Sequence, residues 1–423
     1  MVVEIKPGLY WVGVVDWGLT HFHGHELSTH RGSSYNAYLI RDEKTVLVDT
    51  VWGPFADQLL ENIREVVDPS EIDIVVANHS EVDHSGGLPA VMRHAPKAKV
   101  VVSKRGLESV EGHFHQPWDF QSVGTGDRIS IGANELGQVL VLMYHHFDTD
   151  EAEWTRTPQN FRNDIALLKA EGYYPVNIHD LVTGNIDIPA GKSPVALTFD
   201  DSSPGQYRIL DDGTLDPDCA VGIMEAAVDE GDWASRATFF VLLDVTPKER
   251  VLWGQPDLKQ GKLIDLIDWG YEVGSHTVTH LNLADASEAE SVKQLAQSQA
   301  TIEELAGGGY QVTSLALPFG EYPDSDDILA SGEHEGVNYK YTAACSIALR
   351  VCPSPFSTKF EPLHIPRIRA SENFIIDAIK SLKDRPDLRY ISDGDPNAVS
   401  APKDLAADLG QVIEGLGRPV VLY

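Results

Sequence analysis

Short apolar, β-branched runs alternate with amphipathic stretches along almost the whole chain, and that alternation confines it to layered α/β architecture. In the first third the strand-like runs are Tyr10–Val15, Ala37–Ile40, Thr45–Val48, Ile72–Ala77 and Lys99–Ser103, separated by helical patterns at Phe55–Val67 and Leu88–His94. A Gly-rich segment, Ile129–Gly137, ends this pattern, and a new apolar strand starts at Gln138–Tyr144. Beyond it come strands at Val195–Phe199, Ala237–Leu243, Glu272–Ser275 and Ser314–Leu317, with helices at Pro158–Glu171, Ala220–Val228, Lys262–Trp269 and Ser287–Leu305. Thr157-Pro158, and Ser287 with Glu290, supply the caps that start helices. Repeated βα units over the second region favour a barrel over an open sheet. The expected domains are residues 1–135 and 137–423.

A chain of 423 residues has room for two or three cores. With 33 Lys and Arg against 64 Asp and Glu, its net charge of −31 repels phosphate backbones, which argues against a nucleic-acid partner. Cys219, Cys345 and Cys352 are too few and too scattered for a disulfide framework or a zinc finger; a Cys345–Cys352 bridge is conceivable, and three free thiols are the expectation. The first residues, MVVEIKPGLYWVGVVDW, lack the basic leader and apolar core of a signal peptide. No window approaches the roughly 18 uninterrupted apolar residues of a membrane helix, so the chain as written reads as cytoplasmic with no membrane span.

Chemistry concentrates at three places in the second region. Val195-Ala-Leu-Thr-Phe runs straight into Asp200-Asp201, two carboxylates at a strand end. Strand C-termini form the active face of a parallel barrel, and adjacent acids separate in role if one binds a cation and the other stays free. An ordinary turn or helix cap would also place acids there. Gly274-Ser-His276-Thr-Val-Thr-His280 has imidazoles four residues apart, which share one face of a helical turn and can share a metal. Standing alone, they read as surface histidines. Leu315-Ala-Leu-Pro318-Phe319-Gly320 ends a strand in a restricted loop with backbone amides nearby.

In this order, T-F-D-D, S-H-T-x-x-H and P-F-G, the chain resembles the polysaccharide deacetylase (carbohydrate esterase) family. The likeness starts at Val139–Tyr144 with His145-His146 and continues through Trp154–Phe161, Arg236–Phe240 and Arg389–Pro396. It implies a distorted (β/α) barrel that uses a metal-activated water to remove acetyl groups from N-acetylated oligo- or polysaccharide. Asp201, His276 and His280 would hold one divalent metal, zinc with cobalt or nickel as alternatives. Asp200 would be the general base; Pro318, Phe319 and Gly320 would line the substrate site, with a nearby amide for the oxyanion. There are two departures. Ala316 stands where many members carry an arginine that contacts the base, and the usual acid histidine is not evident, His364 being the candidate. Arg367 or Arg369 would then serve Asp200 or the substrate. A carbohydrate-binding homologue with impaired catalysis is the alternative these departures raise. Relatives of this type are usually exported.

The first region carries a different signature. Asn78-His79-Ser-Glu81-Val-Asp83-His84 puts four metal-capable side chains within six residues at a strand end. With Tyr10–Trp17, Ser34–Tyr38, Val46–Thr50 and His113–Asp119, it resembles the N-terminal part of flavodiiron proteins, a metallo-β-lactamase-like αββα fold. The resemblance implies a partial domain fused to the deacetylase, because the later ligands of that fold are not followed through and no flavodoxin-like domain appears. His146 and Asp164 stand near the spacing of two missing ligands. A partial domain would leave an apolar sheet face in need of cover. A diiron redox protein is the alternative function here, and it predicts two metal ions per chain.

Overall fold

Every residue of the strand Ser193–Phe199 is buried, as a strand covered on both faces of a parallel sheet must be. A computed structural model of the chain describes residues 2–6, 8–22, 27–42, 44–125, 129, 131–403 and 406–422. It divides into two compact units, Met1–Gly132 and Ala133–Tyr423. Of the Gly-rich segment Ile129–Gly137, residue 130 lies outside the described residues.

In the second unit, strands run in the order Ala343–Cys345, Ser314–Ala316, Glu272–Ser275, Thr238–Val241, Ser193–Phe199, Leu140–Tyr144 and Ile368–Arg369, while Tyr173–Val176 also pairs with Ser193–Phe199. All these pairings are parallel. The sheet curls until its two ends are drawn together by residues 365–369. Ile365 N–H donates to the Ala344 carbonyl and Ser346 N–H to that of Ile365, both at 2.9 Å. Ile368 and Arg369 pair in turn with Leu142 and Met143. The result is a curled, barrel-like α/β domain.

Strand alternation assigns the two faces of the curl. Val195, Leu197 and Phe199 point outward and pack with Phe161, Leu168, Met224, Leu263, Leu266 and Leu295 of the surrounding helices. Ala196 points inward with Ala316, Ala343 and Cys345, small residues that let the strands close tightly around the Phe240 ring. Fully burying each large apolar side chain contributes on the order of 1.5–3 kcal/mol. The helices Pro158–Ala170 and Glu288–Ala306 start at the expected caps: Thr157 accepts from the Asn160 amide and Ser287 from that of Glu290. Cys219, Cys345 and Cys352 are buried and free.

The first unit is a seven-stranded sheet, ordered Val3–Lys6, Leu9–Trp11, Tyr38–Arg41, Thr45–Val48, Ile72–Ala77, Lys99–Ser103 and Phe120–Val123. Its pairings are antiparallel up to Thr45–Val48 and parallel from there on. The helices Ala56–Arg64, Leu88–His94 and Lys104–Phe114 pack on one face, over Leu39, Leu47, Val75, Val100 and Val102. On the opposite face Val46, Ile74 and Val101 are buried, with Ile129 and Ile131 half-buried beside them. Among the described residues, no helix is long and apolar enough to cross a membrane.

Candidate functional site

The strand Ser193–Phe199 delivers two carboxylates to the end of the curl and then turns sharply. Asp201 and Ser202 both adopt left-handed backbone (φ 77° and 49°), a conformation that non-glycine residues hold where the surroundings enforce it. The enforcement is visible: Asp200 N–H donates to Tyr144 O (2.9 Å), and Ser202 Oγ accepts from Leu242 N–H (2.8 Å). Gln206, fully buried, donates to the carbonyls of Asp200 and His145.

Asp200 meets Arg367 in a two-pronged pair, Nη1 to Oδ1 and Nη2 to Oδ2 at 2.7 Å each. Arg367 is fully buried and is further fixed by Thr198 Oγ1 (3.1 Å) and Ser346 O (3.2 Å). Burial works to raise the Asp200 pKa, but the charges of Arg367 and His276 outweigh it and hold the carboxyl below its ordinary value. Asp200 is therefore kept ionised and able to accept a proton. Arg367, just ahead of the strand Ile368–Arg369, is thus the arginine that contacts Asp200, while Ala316 lies buried on the inner face of the sheet. Arg369 instead pairs with Glu153 and lies over the Trp154 ring, 5.0 Å from its centroid.

Asp201, His276 and His280 converge, with their potential ligand atoms all within 4.8 Å of one another. Asp201 Oδ1 is 3.5 Å from His276 Nε2 and 3.4 Å from His280 Nε2. The two histidines do not share a helical turn as their spacing suggested. Residues 276–280 form an open loop in which Thr277 and His280 are left-handed (φ 62° and 60°). Gln294 of the long helix ties that loop down, its Oε1 accepting from the amides of Val278 (2.9 Å) and Thr279 (3.1 Å). His276 Nδ1 bonds the Ala316 carbonyl at 2.8 Å, which fixes the ring and turns Nε2 toward Asp201.

The donor set suits a divalent cation, and one atom asks for it: Asp201 Oδ1 is buried with no hydrogen-bond partner among the described residues. Arg250 Nη2 stands 2.5 Å away, a charge contact without hydrogen-bond geometry. Burial works to raise the Asp201 pKa; the imidazole of His276, then His145 and Arg250, outweigh it and hold the acid far below the carboxylate range. Burial pushes His280 down to about 4, leaving the neutral imidazole that metal ligation needs.

Other residues reach the site from neighbouring strand ends. His145 Nε2 is 4.0 Å from Asp200 Oδ2 and its ring lies 4.7 Å from Trp154; burial, against the pull of Asp200 and Asp201, lowers its pKa to about 4. His146 Nε2 is 3.8 Å from Asp201 Oδ2. Phe319 is left-handed, 58% exposed, and packs its ring 4.7 Å from His280. Gly320 N–H is spent on Leu317 O (2.9 Å) and Pro318 has none, so Phe319 N–H is the amide this turn can offer. Gly320 has φ 73°, and a Cβ there would meet Ile347 N at 2.9 Å. His364 sits differently: it bonds Asp326 (2.7 Å) and stacks on Tyr322, and none of its described contacts reaches Asp200 or Asp201. Arg250 and Gln294 carried no sequence signal, since each lies outside the motifs and arrives only through the path of a loop or helix; His146 stood in the His145-His146 pair, and the fold brings it to Asp201.

In the first unit the four motif residues are paired off. His84 Nδ1 faces Asp49 (3.2 Å) and its Nε2 faces Asp83 (3.6 Å), while His79 and Glu81, both exposed, are 3.5 Å apart. Among the described residues only Asp201, His276 and His280 form a three-ligand cluster. His146 and Asp164, at flavodiiron spacing in the sequence, both serve the second unit: His146 faces Asp201, and Asp164 is buried against Arg156 (Nε 2.9 Å) and Tyr144 (3.2 Å).

Comparison with known proteins returns both signatures. Residues 30–165 match the metallo-beta-lactamase superfamily model and residues 187–336 the polysaccharide deacetylase model. The chain is 43% identical over 148 residues to a nitric oxide reductase of Moorella thermoacetica, covering 35% of this chain and 37% of that protein. It is 41% identical over 166 residues to an anaerobic nitric oxide reductase flavorubredoxin of Vibrio vulnificus, covering 39% and 34%. It thus spans little more than a third of the length of these relatives. Among solved structures, the Streptococcus pyogenes deacetylase PplD in complex with acetate aligns at 19% identity over 57% of this chain and 98% of its own, with a TM-score of 0.41. Both matched families bind metal ions. The chain carries a metallo-β-lactamase-like domain followed by a polysaccharide deacetylase domain.

Proposed function

We propose that the second unit is a metal-dependent hydrolase that removes acetyl groups from N-acetylated sugars or polysaccharides. The observation that carries this reading is the pairing of two adjacent carboxylates with different surroundings: Asp200 locked to Arg367, and Asp201 beside His276 and His280 with a buried, unbonded oxygen. Asp201, His276 and His280 are the residues that would hold a divalent ion, with zinc the first candidate and cobalt or nickel the alternatives. Such an ion supplies a Lewis acid for the acetyl carbonyl and brings the pKa of a water toward neutrality.

The protein groups carry the proton. Asp200, ionised beside Arg367, accepts the proton of the attacking water on a carboxylate oxygen and returns it to the departing sugar nitrogen. One carboxylate then serves as base and acid. His145, neutral at ordinary pH, does not deliver that proton and instead walls the site with Trp154. The exposed Phe319 ring offers an apolar face for a sugar ring, and its N–H is positioned in the turn that would meet the oxyanion. The test is acetate release from N-acetylated oligosaccharides by the chain and by Asp200→Asn. Equal release by both would sink the assignment of the base.

A further inference from the structure

Two arginines meet the two adjacent carboxylates, and they are held in opposite ways. Arg367 is fully buried and spends its donors on both oxygens of Asp200, on Thr198 Oγ1 and on Ser346 O. Arg250 is half-buried; its Nη2 touches Asp201 Oδ1 without hydrogen-bond geometry, and its Nε is buried with no hydrogen-bond partner among the described residues. Neutral or charged, an unmet buried donor is costly, so this guanidinium gains little by staying where it is.

Its backbone, by contrast, is fixed. Leu252, Trp253 and Gln255 are all left-handed (φ 46°, 63° and 53°). Trp253 N–H donates to Ser202 O (3.1 Å), its indole to Gln206 Oε1 (3.2 Å), and its carbonyl accepts from Lys262 Nζ (3.2 Å). A rigid turn therefore presents a loosely held cation to the one oxygen on which the candidate ligands converge. A divalent ion sharing Asp201 Oδ1 would stand next to that like charge in a half-buried setting, where repulsion is only partly screened. Beside it opens a cavity of about 420 Å³ lined by Asp244, Val245, Thr246, Arg250, Thr279 and His280. Asp244 there is a second carboxylate, largely exposed and shared with Lys248.

We propose that Arg250 competes with the metal for Asp201 Oδ1, and that on loading its guanidinium turns into this cavity toward Asp244. Arg250 then sets how tightly the centre holds its ion. The inference rests on the metal-dependent reading proposed above.

The experiment is Co²⁺ affinity, measured by competition with a chromophoric chelator, on the full chain. Arg250→Gln is expected to bind Co²⁺ about tenfold tighter or more, and Arg250→Lys, which keeps the charge, to stay near the unaltered value. Asp244→Asn removes the receiving carboxylate and is expected to weaken Co²⁺ binding severalfold, an effect that vanishes in the Arg250→Gln background. Because Asp244 lies on the exposed rim, that variant tests the idea however Arg250→Gln folds. Unchanged or weaker binding by Arg250→Gln, or no effect of Asp244→Asn, overturns the competition while leaving the centre standing. An unaltered chain that binds no Co²⁺ overturns the centre itself, and the competition with it.

Discussion

Arg367 and Asp200 are mutually dependent, because each is a charge that the interior accepts only beside the other. Removing one partner strands the other, so Arg367→Ala is expected to lower unfolding stability by about 3–5 kcal/mol. Denaturant unfolding checks this, and adding Asp200→Asn should restore part of the loss. A cost of the single change below about 1 kcal/mol would mean the pair is solvated and not structural. At this scale the sequence was most informative where chemistry sits in short motifs. Asp200, Asp201, His276 and His280 were readable because their short motifs directly follow apolar strands, and Arg367 was readable as one of two options. Arg250 was not, since a loop path that no local pattern encodes brings it to Asp201, and His146, named in the His145-His146 pair, was not tied to Asp201 by any local pattern. His364, the nearest candidate for the acid histidine that the resemblance implies, makes its contacts with Asp326 and Tyr322.

Elements position these residues through a few polar ties. Gln294 holds the His276–His280 loop by two backbone amides, so Gln294→Ala is expected to weaken metal affinity by roughly 10–100-fold with helix content unchanged. Titration of both proteins by calorimetry decides it, and equal affinities would mean the loop holds its own shape. A second tie is Glu135, which accepts from Ser400 N–H (2.8 Å) and Asp393 N–H (3.3 Å). Burial, opposed by those hydrogen bonds, raises its pKa to about 7. The folded chain therefore binds this proton more tightly than the unfolded chain. The associated stability is full below the ordinary glutamate value and is lost as pH rises through about 7. Relative to Glu135→Gln, the unaltered chain should lose about 3 kcal/mol between pH 4.5 and 8. Parallel pH-stability curves for the two would contradict the shift. Long strands with β-branched runs were readable to within a few residues, Ile72–Ala77 and Lys99–Ser103 among them. Short ones such as Tyr173–Val176 and Ile368–Arg369 were not, because so few residues carry no period. The two histidines fitted a helical period, yet Gln294 and left-handed Thr277 hold them on a loop.

Across the whole chain, the first family match begins in the first compact unit and runs past Gly132 to residue 165, the second lies wholly in the second unit, and only the second unit gathers three ligands among the described residues. A single divalent ion per chain is therefore expected, lost in Asp201→Asn and retained in His84→Asn. Elemental analysis of purified protein checks this, and two ions per chain would revive the diiron reading of His79, Glu81, Asp83 and His84. That both fold classes were legible reflects unbroken α/β patterning; His146 and Asp164, which stand at flavodiiron spacing in the sequence, make their contacts within the second unit. The most direct measurement is acetate release from a panel of N-acetylated oligosaccharides, with and without chelator, for the unaltered chain and Asp200→Asn. The expected result is release that chelator abolishes, that added Zn²⁺ restores, and that Asp200→Asn reduces by on the order of a hundredfold or more. Release indifferent to chelator and to Asp200, or no release by a chain that has bound its ion, would contradict it.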